Sequence, residues 1–199
     1  MKSRLSKLQK YNLILATKSP RRQMLMKGMD LNFEIKVKSI KESYPEDLAY
    51  DKVPEYLAKL KASACDFSKL RKKDIYITAD TIVVLNGEII GKPKNKTQAK
   101  KILKAMSGQK HKVITGVCLS SIDKQECFSA ESDVYFRNID NADIDYYVEE
   151  YMPFDKAGSY GIQEWIGYIG IERIEGSFYN VMGLPTQLLY EELFSFIEK

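Results

Sequence analysis

Ser19-Pro20-Arg21-Arg22 follows directly on the apolar run Leu13-Ile14-Leu15-Ala16. Ser19 is a good helix N-cap and Pro20 a favoured first helical residue, so a helix opens here with both arginines in its first turn. The helix macrodipole disfavours cations at that end, and free backbone N–H groups already make the field positive. Such a choice is poor for stability and suited to holding a phosphate. The plainer reading is a solvated Arg-Arg pair. A second centre is Asp80, in Ala79-Asp80-Thr81 between the β-forming runs Ile75-Tyr76-Ile77 and Ile82-Val83-Val84. A carboxylate in a buried apolar strand is expensive unless it is paired or binds a cation. Its plainer reading is a salt-bridged or capping residue. Lys61 borders the apolar face of its predicted helix, where it either snorkels or reaches into a site.

Composition narrows the chemistry available. The chain has 199 residues, 44% hydrophobic and 29% charged, as in an ordinary soluble α/β protein. One histidine, His111, leaves little room for a Ser-His-Asp triad and none for a His-rich metal site, so hydrolysis would run on carboxylates, lysines and arginines. The three cysteines, Cys65, Cys118 and Cys127, lack CxxC spacing and read as reduced, mostly buried thiols. A net charge of +4 does not suggest a dedicated nucleic-acid binder. Basic residues also do not alternate with aromatics along one element. No apolar run approaches the roughly 18 residues of a membrane span. The polar, basic start from Met1 to Lys10 has no signal-peptide core, so the expected location is the cytoplasm.

The elements that must position these residues read as follows. The helix opened at Pro20 ends at Gly28, taken as its C-cap. Phe33, Ile35 and Val37 alternate with charged residues as a half-buried strand over 31–37. Residues 41–47, with Glu42, are turn-like, and a helix over 53–65 places Val53, Leu57, Leu60 and Ala64 on one face. Asn86-Gly87 predicts a hairpin that brings Lys92, five residues after the turn, to the ribbon end of Asp80, six residues before it. Thr97 caps a helix running to about Gly108, a strand spans 111–121, and a turn at 122–124 leads into a strand through Phe136. A helix over 141–151 precedes the glycine-broken passage 155–163; a strand over 168–174 and a helix over 185–197 follow. Alternating strands and helices with hairpins indicate an α/β protein with a mixed sheet.

Seven motifs now stand in order: Ser19-Pro20-Arg21-Arg22, Ala79-Asp80-Thr81, Gly91-Lys92-Pro93, His111-Lys112-Val113 with Thr115-Gly116-Val117, Asp155-Lys156-Ala157-Gly158, Tyr160-Gly161-Ile162-Gln163, and Asn180-Val181-Met182-Gly183-Leu184-Pro185. Together they resemble the Maf-like family of nucleoside triphosphate pyrophosphatases over residues 12–192. The resemblance implies a single domain over 1–199, Maf/ITPase-like, with two lobes sharing one long mixed sheet, flanking helices and a central cleft. It also implies a homodimer, and hydrolysis of a nucleoside triphosphate to monophosphate and pyrophosphate with Mg²⁺ or Mn²⁺. By the same resemblance Asp80 matches the proton acceptor, and Arg21, Thr81 and Gln163 mark substrate choice. Ser19, Arg22, Glu42, Lys61 and Lys92 match polar residues lining the substrate site. The residue chemistry agrees, since Asp80 and Glu42 are hard oxygen ligands and the four cations can neutralise a polyanion.

Two arginines after Ser-Pro together with Gln163 resemble the branch acting on dTTP and UTP, and a Gln amide can donate to uracil O4 and accept from N3–H. Other readings keep the reaction but take 7-methyl-GTP or another modified nucleotide, or make the protein a nucleotide-binding regulator linked to septum formation. Intact Asp80 favours catalysis, because binding alone needs no water-activating carboxylate. The chain departs from the family pattern at Thr17, where serine is commoner. It departs again at Glu164-Trp165-Ile166-Gly167-Tyr168-Ile169-Gly170, which replaces a smaller glycine-rich segment. Trp165 either packs, the favoured reading, or stacks on a base.

Overall fold

Runs of Ile, Val, Leu and Tyr become the strands of one mixed sheet in the computed structural model, which describes residues 4–199. The first three residues of the basic N-terminal stretch lie outside the described residues. The strands are β1 (Asn12–Leu15), β2 (Phe33–Ile35), β3 (Asp74–Leu85), β4 (Glu88–Ile90), β5 (Lys110–Ser120), β6 (Gln125–Phe136) and β7 (Ile171–Glu175). Their order is β2-β1-β3-β5-β6-β7, with β4 paired to β3. β1 runs parallel to both β2 and β3, whereas the β3–β4 and β6–β7 pairs are antiparallel. The helices are α1 (Leu5–Leu8), α2 (Pro20–Gly28), α3 (Val53–Ser63), α4 (Lys96–Met106), α5 (Asn141–Tyr151), α6 (Trp165–Gly170), α7 (Phe178–Met182) and α8 (Thr186–Glu198). No helix among the described residues is long and apolar enough to cross a membrane.

The chain divides into two compact units, the first of residues up to 80, 115–130 and 183–199, the second of residues 81–114 and 131–182. In the first, β1 is buried at Leu13, Ile14 and Leu15, and α8 buries Leu189, Leu193, Phe194 and Phe196. Here α3 packs Val53, Pro54, Leu57, Ala58 and Ala62 inward. A Cβ on Gly116 of β5 would drive into the Pro54 carbonyl and the Glu55 nitrogen, so only glycine lets α3 start this close to the strand. The Thr78 hydroxyl on β3 donates to the Ala58 carbonyl at 2.7 Å and ties the same helix down. In the second unit, α4 meets α5 through Lys96–Glu149 and Lys100–Asp145 ion pairs. Fully buried Asn180 joins α7 to β5 and β6 by donating to the Val113 carbonyl at 3.1 Å and to Ser132 Oγ at 3.0 Å.

Several local expectations shift. Gly28 is the last helical residue of α2, and the left-handed position after it falls on Asp30. The strand predicted over 31–37 shrinks to β2, with Ile35 and Val37 exposed: at the sheet edge it has a neighbouring strand on one side only, which covers its side chains less. Asn95, not Thr97, caps α4 by accepting from the Gln98 N–H at 2.9 Å. Residues 168–170 belong to helix α6, so β7 starts later than expected. The β3–β4 ladder ends at Val83–Ile90, short of Lys92.

The cysteine reading is overturned: Cys118 and Cys127 form a disulfide, and only Cys65 is free. The turn closed by the Ser121 N–H on the Lys124 carbonyl explains why. Counting three residues outward on either side places Cys118 opposite Cys127, with Cα atoms 4.1 Å apart. Hairpin register pairs two cysteines that lack CxxC spacing. Burial pushes the Cys65 thiol up to about 11, so it is inert at neutral pH.

Candidate active site

In the first unit, the chain leaves β1 and turns at Thr17, whose hydroxyl accepts the Ser19 N–H at 3.2 Å. Thr17 thus keeps the function a serine hydroxyl would have. Ser19 caps α2, its side chain accepting from the Arg22 N–H, and Pro20 opens the helix as expected. Arg22 is then aimed back at the sheet. Its Nε donates to the Gly183 carbonyl at 2.7 Å and an Nη to the Ala79 carbonyl at 2.9 Å. Burial pulls the Arg22 pKa below its ordinary value, a pull that neighbouring Arg21 reinforces and that Asp80 and Glu42 oppose. A guanidinium with so high an ordinary pKa stays charged.

Asp80 sits in β3, its residue 8% exposed. Lys61 reaches it from α3, with Nζ 2.5 Å from Asp80 Oδ1 and 3.1 Å from Oε1 of exposed Glu42. The Lys61 ammonium is thus paired with two carboxylates and does not extend into solvent, and Asp80 is salt-bridged. Lys61 follows Leu57 by four residues and Ala58 by three, which places it beside the packed face of α3. Three cations and two carboxylates thus share one electrostatic neighbourhood, with Asp80 as its least exposed anion. Arg21 is half-buried in the first turn of α2.

Asp80 and Glu42 fit a divalent cation in kind, because their hard oxygens converge on a single positive centre, now the Lys61 ammonium. No group of three or more His, Cys, Asp or Glu residues placed to hold a metal ion occurs among the described residues. The donor set therefore suits an ion that completes its shell with water and phosphate oxygens, as Mg²⁺ does.

The second unit carries Thr81, Lys92 and Gln163. Thr81 follows Asp80 on β3 and is half-buried, and Lys92 is exposed beyond β4. Gln163 closes the glycine-broken passage, and its side-chain Oε1 is buried with no hydrogen-bond partner among the described residues. Such an atom is rare in a folded chain and marks a place where a ligand can supply the missing donor. Trp165 is half-buried and packs against Tyr146 of α5, ring centroids 4.9 Å apart.

Sequence reasoning missed what holds this passage. Lys156, 7% exposed, pairs with Glu164 at 3.0 Å, and Tyr147 donates its hydroxyl to the same carboxylate. The available signal was the set of charges Asp155, Lys156 and Glu164 at the two ends of an otherwise glycine-broken, uncharged stretch.

Residues 12–196 match the family described as Maf-like protein. A relative from Porphyromonas gingivalis, named dTTP/UTP pyrophosphatase, is 50% identical over 196 residues, 98% of either chain. One of the same name from Bacteroides thetaiotaomicron is 49% identical over 190 residues, 95% of this chain and 98% of its own. Among solved structures, a HAM1 protein from Coxiella burnetii aligns with a TM-score of 0.53 at 15% identity, covering 93% of this chain and 99% of that one. At such low identity that likeness speaks to the mixed α/β fold alone. Matched over nearly its whole length and half identical to these relatives, the chain belongs to the Maf-like protein family.

Proposed function

We propose that the protein is a nucleoside triphosphate pyrophosphatase that hydrolyses dTTP and UTP to the monophosphate and pyrophosphate. The observation that carries this reading is the buried Asp80 carboxylate, held by Lys61 with Glu42 on the same ammonium and the α2 arginines in its field. Relatives about half identical and bearing that activity in their names support it. Asp80 accepts the proton of the water that attacks the α-phosphorus, a role open to a carboxylate where the only histidine, His111, is buried among aromatic rings. Ser19, Arg22, Lys61 and Lys92 bind the phosphates, with lysine acting as a point charge and arginine as a fork. Arg21, Thr81 and Gln163 choose the base. Gln163 offers an amide donor and a vacant acceptor oxygen, the complement of the O4 and N3–H of uracil or thymine.

Asp80 and Glu42 are the residues that would hold Mg²⁺ or Mn²⁺, and the ion would supply neutralisation of the phosphate oxygens and of the departing pyrophosphate. We place the enzyme in the cytoplasm as a homodimer working as one domain, without nucleic-acid or membrane partners. The deciding experiment is pyrophosphate release from a panel of nucleoside triphosphates with Mg²⁺ or Mn²⁺, run beside Asp80→Asn. Release from dTTP and UTP, falling by about 100-fold or more in the variant, is expected. Release confined to 7-methyl-GTP would overturn the base assignment, and orthophosphate in place of pyrophosphate would overturn the point of attack.

A further inference from the structure

The segment around Gln163 is built more tightly than its glycine content suggests. Its backbone closes on itself: the Glu164 N–H donates to the Gly161 carbonyl at 2.9 Å, and the Glu164 carbonyl accepts the Gly167 N–H at 2.8 Å. A Cβ on Gly167 would drive into the Ile162 carbonyl, so the first turn of α6 lies directly on the residue before Gln163. The Glu164 side chain folds back the same way, its carboxyl carbon 2.7 Å from where a Cβ on Gly161 would be. That carboxylate is not idle. Lys156 Nζ lies 3.0 Å from it and also 2.7 Å from Asp155. The Tyr147 hydroxyl donates to it while accepting the Gly161 N–H at 3.1 Å. Burial, reinforced by the bond to Glu164, raises the Tyr147 phenol above its ordinary range and keeps it a donor.

Glu164 thus fixes the chain on both sides of Gln163 without touching the amide itself. The need for such a fixture follows from the chemistry of the bases. Uracil and thymine present an acceptor at O4 and a donor at N3; cytosine presents the reverse, a 4-amino donor and an N3 acceptor. A carboxamide turned over by half a rotation complements cytosine as well as it did uracil. Discrimination therefore needs the amide presented at one place and in one turn, and the first of these depends on how firmly its peptide is held.

We propose that Glu164, anchored by Lys156 and Tyr147, is a positioning residue that holds the Gln163 peptide at the place from which its amide favours a 4-oxo pyrimidine triphosphate over a 4-amino one. The proposal rests on the nucleotide-hydrolysing reading above and adds to it a specificity device outside the binding residues. The Glu164-Trp165-Ile166-Gly167 run, where this chain departs from the family pattern, supplies that device.

The test measures kcat and KM for UTP and for CTP, by pyrophosphate release, in the wild type, Glu164→Ala, Glu164→Gln, Tyr147→Phe, Gln163→Ala and the double variant of Gln163→Ala with Glu164→Ala. We expect Glu164→Ala to lower the UTP/CTP ratio of kcat/KM by about tenfold, chiefly through a higher KM for UTP, with kcat within about threefold. Glu164→Gln, which still accepts from Tyr147, recovers part of the ratio. In the double variant the ratio is no lower than in Gln163→Ala alone, because the two changes remove the same function. An unchanged ratio in Glu164→Ala, equal losses on both substrates, or additivity in the double variant would each overturn the proposal. So would a Gln163→Ala variant that discriminates like the wild type. Absence of pyrophosphate release by the wild type would instead sink the underlying activity. Thermal unfolding accompanies each variant, and if Glu164→Ala does not fold, Glu164→Gln and Tyr147→Phe carry the same comparison.

Discussion

Lys61 and Arg22 are both cations of the candidate site, yet their contacts give them different work. Lys61 spans two carboxylates, so its loss leaves Asp80 as a nearly buried anion without its nearest partner. For Lys61→Met we expect destabilisation of about 1–3 kcal/mol, less than for a fully buried pair because both side chains keep some water. Adding Asp80→Asn to that variant should restore most of the loss, as read by urea unfolding. Arg22 spends two of its donors on the carbonyls of Ala79 and Gly183 and so braces α2 against β3 and the start of the last segment. Arg22→Lys keeps the charge but loses the fork. Its expected cost is about 1–2 kcal/mol, from two carbonyls losing good donors. If unfolding midpoints are unchanged while pyrophosphate release falls, Arg22 acts on phosphate alone and the bracing role is wrong.

At the level of elements, the placement of Lys61 depends on the close seat of α3 on β5. Gly116 is where that seat is narrowest, since added side-chain volume there meets backbone that has nowhere to go. Gly116→Ala should cost about 1–3 kcal/mol or more by overpacking, and should lower pyrophosphate release beyond what the stability loss explains, because α3 carries Lys61. A denaturation curve together with activity at a temperature where the variant stays folded separates the two effects. The β5–β6 hairpin makes a second prediction. Thiol titration of the denatured protein should find one reactive cysteine, Cys65, before reduction and three after it. Three thiols without reductant would refute the pairing.

Across the whole molecule, the one histidine couples stability to pH. His111 is 2% exposed, bonded through Nε2 to the Tyr160 hydroxyl at 2.8 Å and packed edge-on to Phe136 and Tyr160. Burial pulls its pKa down to about 4, against a weaker upward pull from Asp133. The unfolded chain therefore takes up a proton near pH 6.5 that the folded chain refuses until about pH 4. Its contribution is fully present above pH 6.5 and is lost as pH falls toward 4, by about 3 kcal/mol in all. Equilibrium unfolding from pH 7.5 to 4 should show that decline, and His111→Phe should flatten the part that belongs to this residue. A decline of equal slope in the variant would assign the effect to other groups.

What could be read from the chain alone was local or periodic. The N-cap and proline at Ser19-Pro20 marked the start of α2, and the β-forming runs Ile75-Tyr76-Ile77 and Ile82-Val83-Val84 marked β3 with its Asn86-Gly87 turn. The acidic helix α5 was legible over its full length. The order of short motifs carried the family. What tertiary structure decided were questions of distance between segments far apart in sequence. Which partner Lys61 would choose and whether Arg22 would meet backbone depend on packing across 19, 57 or 161 positions, which no periodicity encodes. The disulfide and the edge exposure of β2 belong with these. Both follow from register and neighbours, and a side chain's neighbours exist only once the sheet has formed.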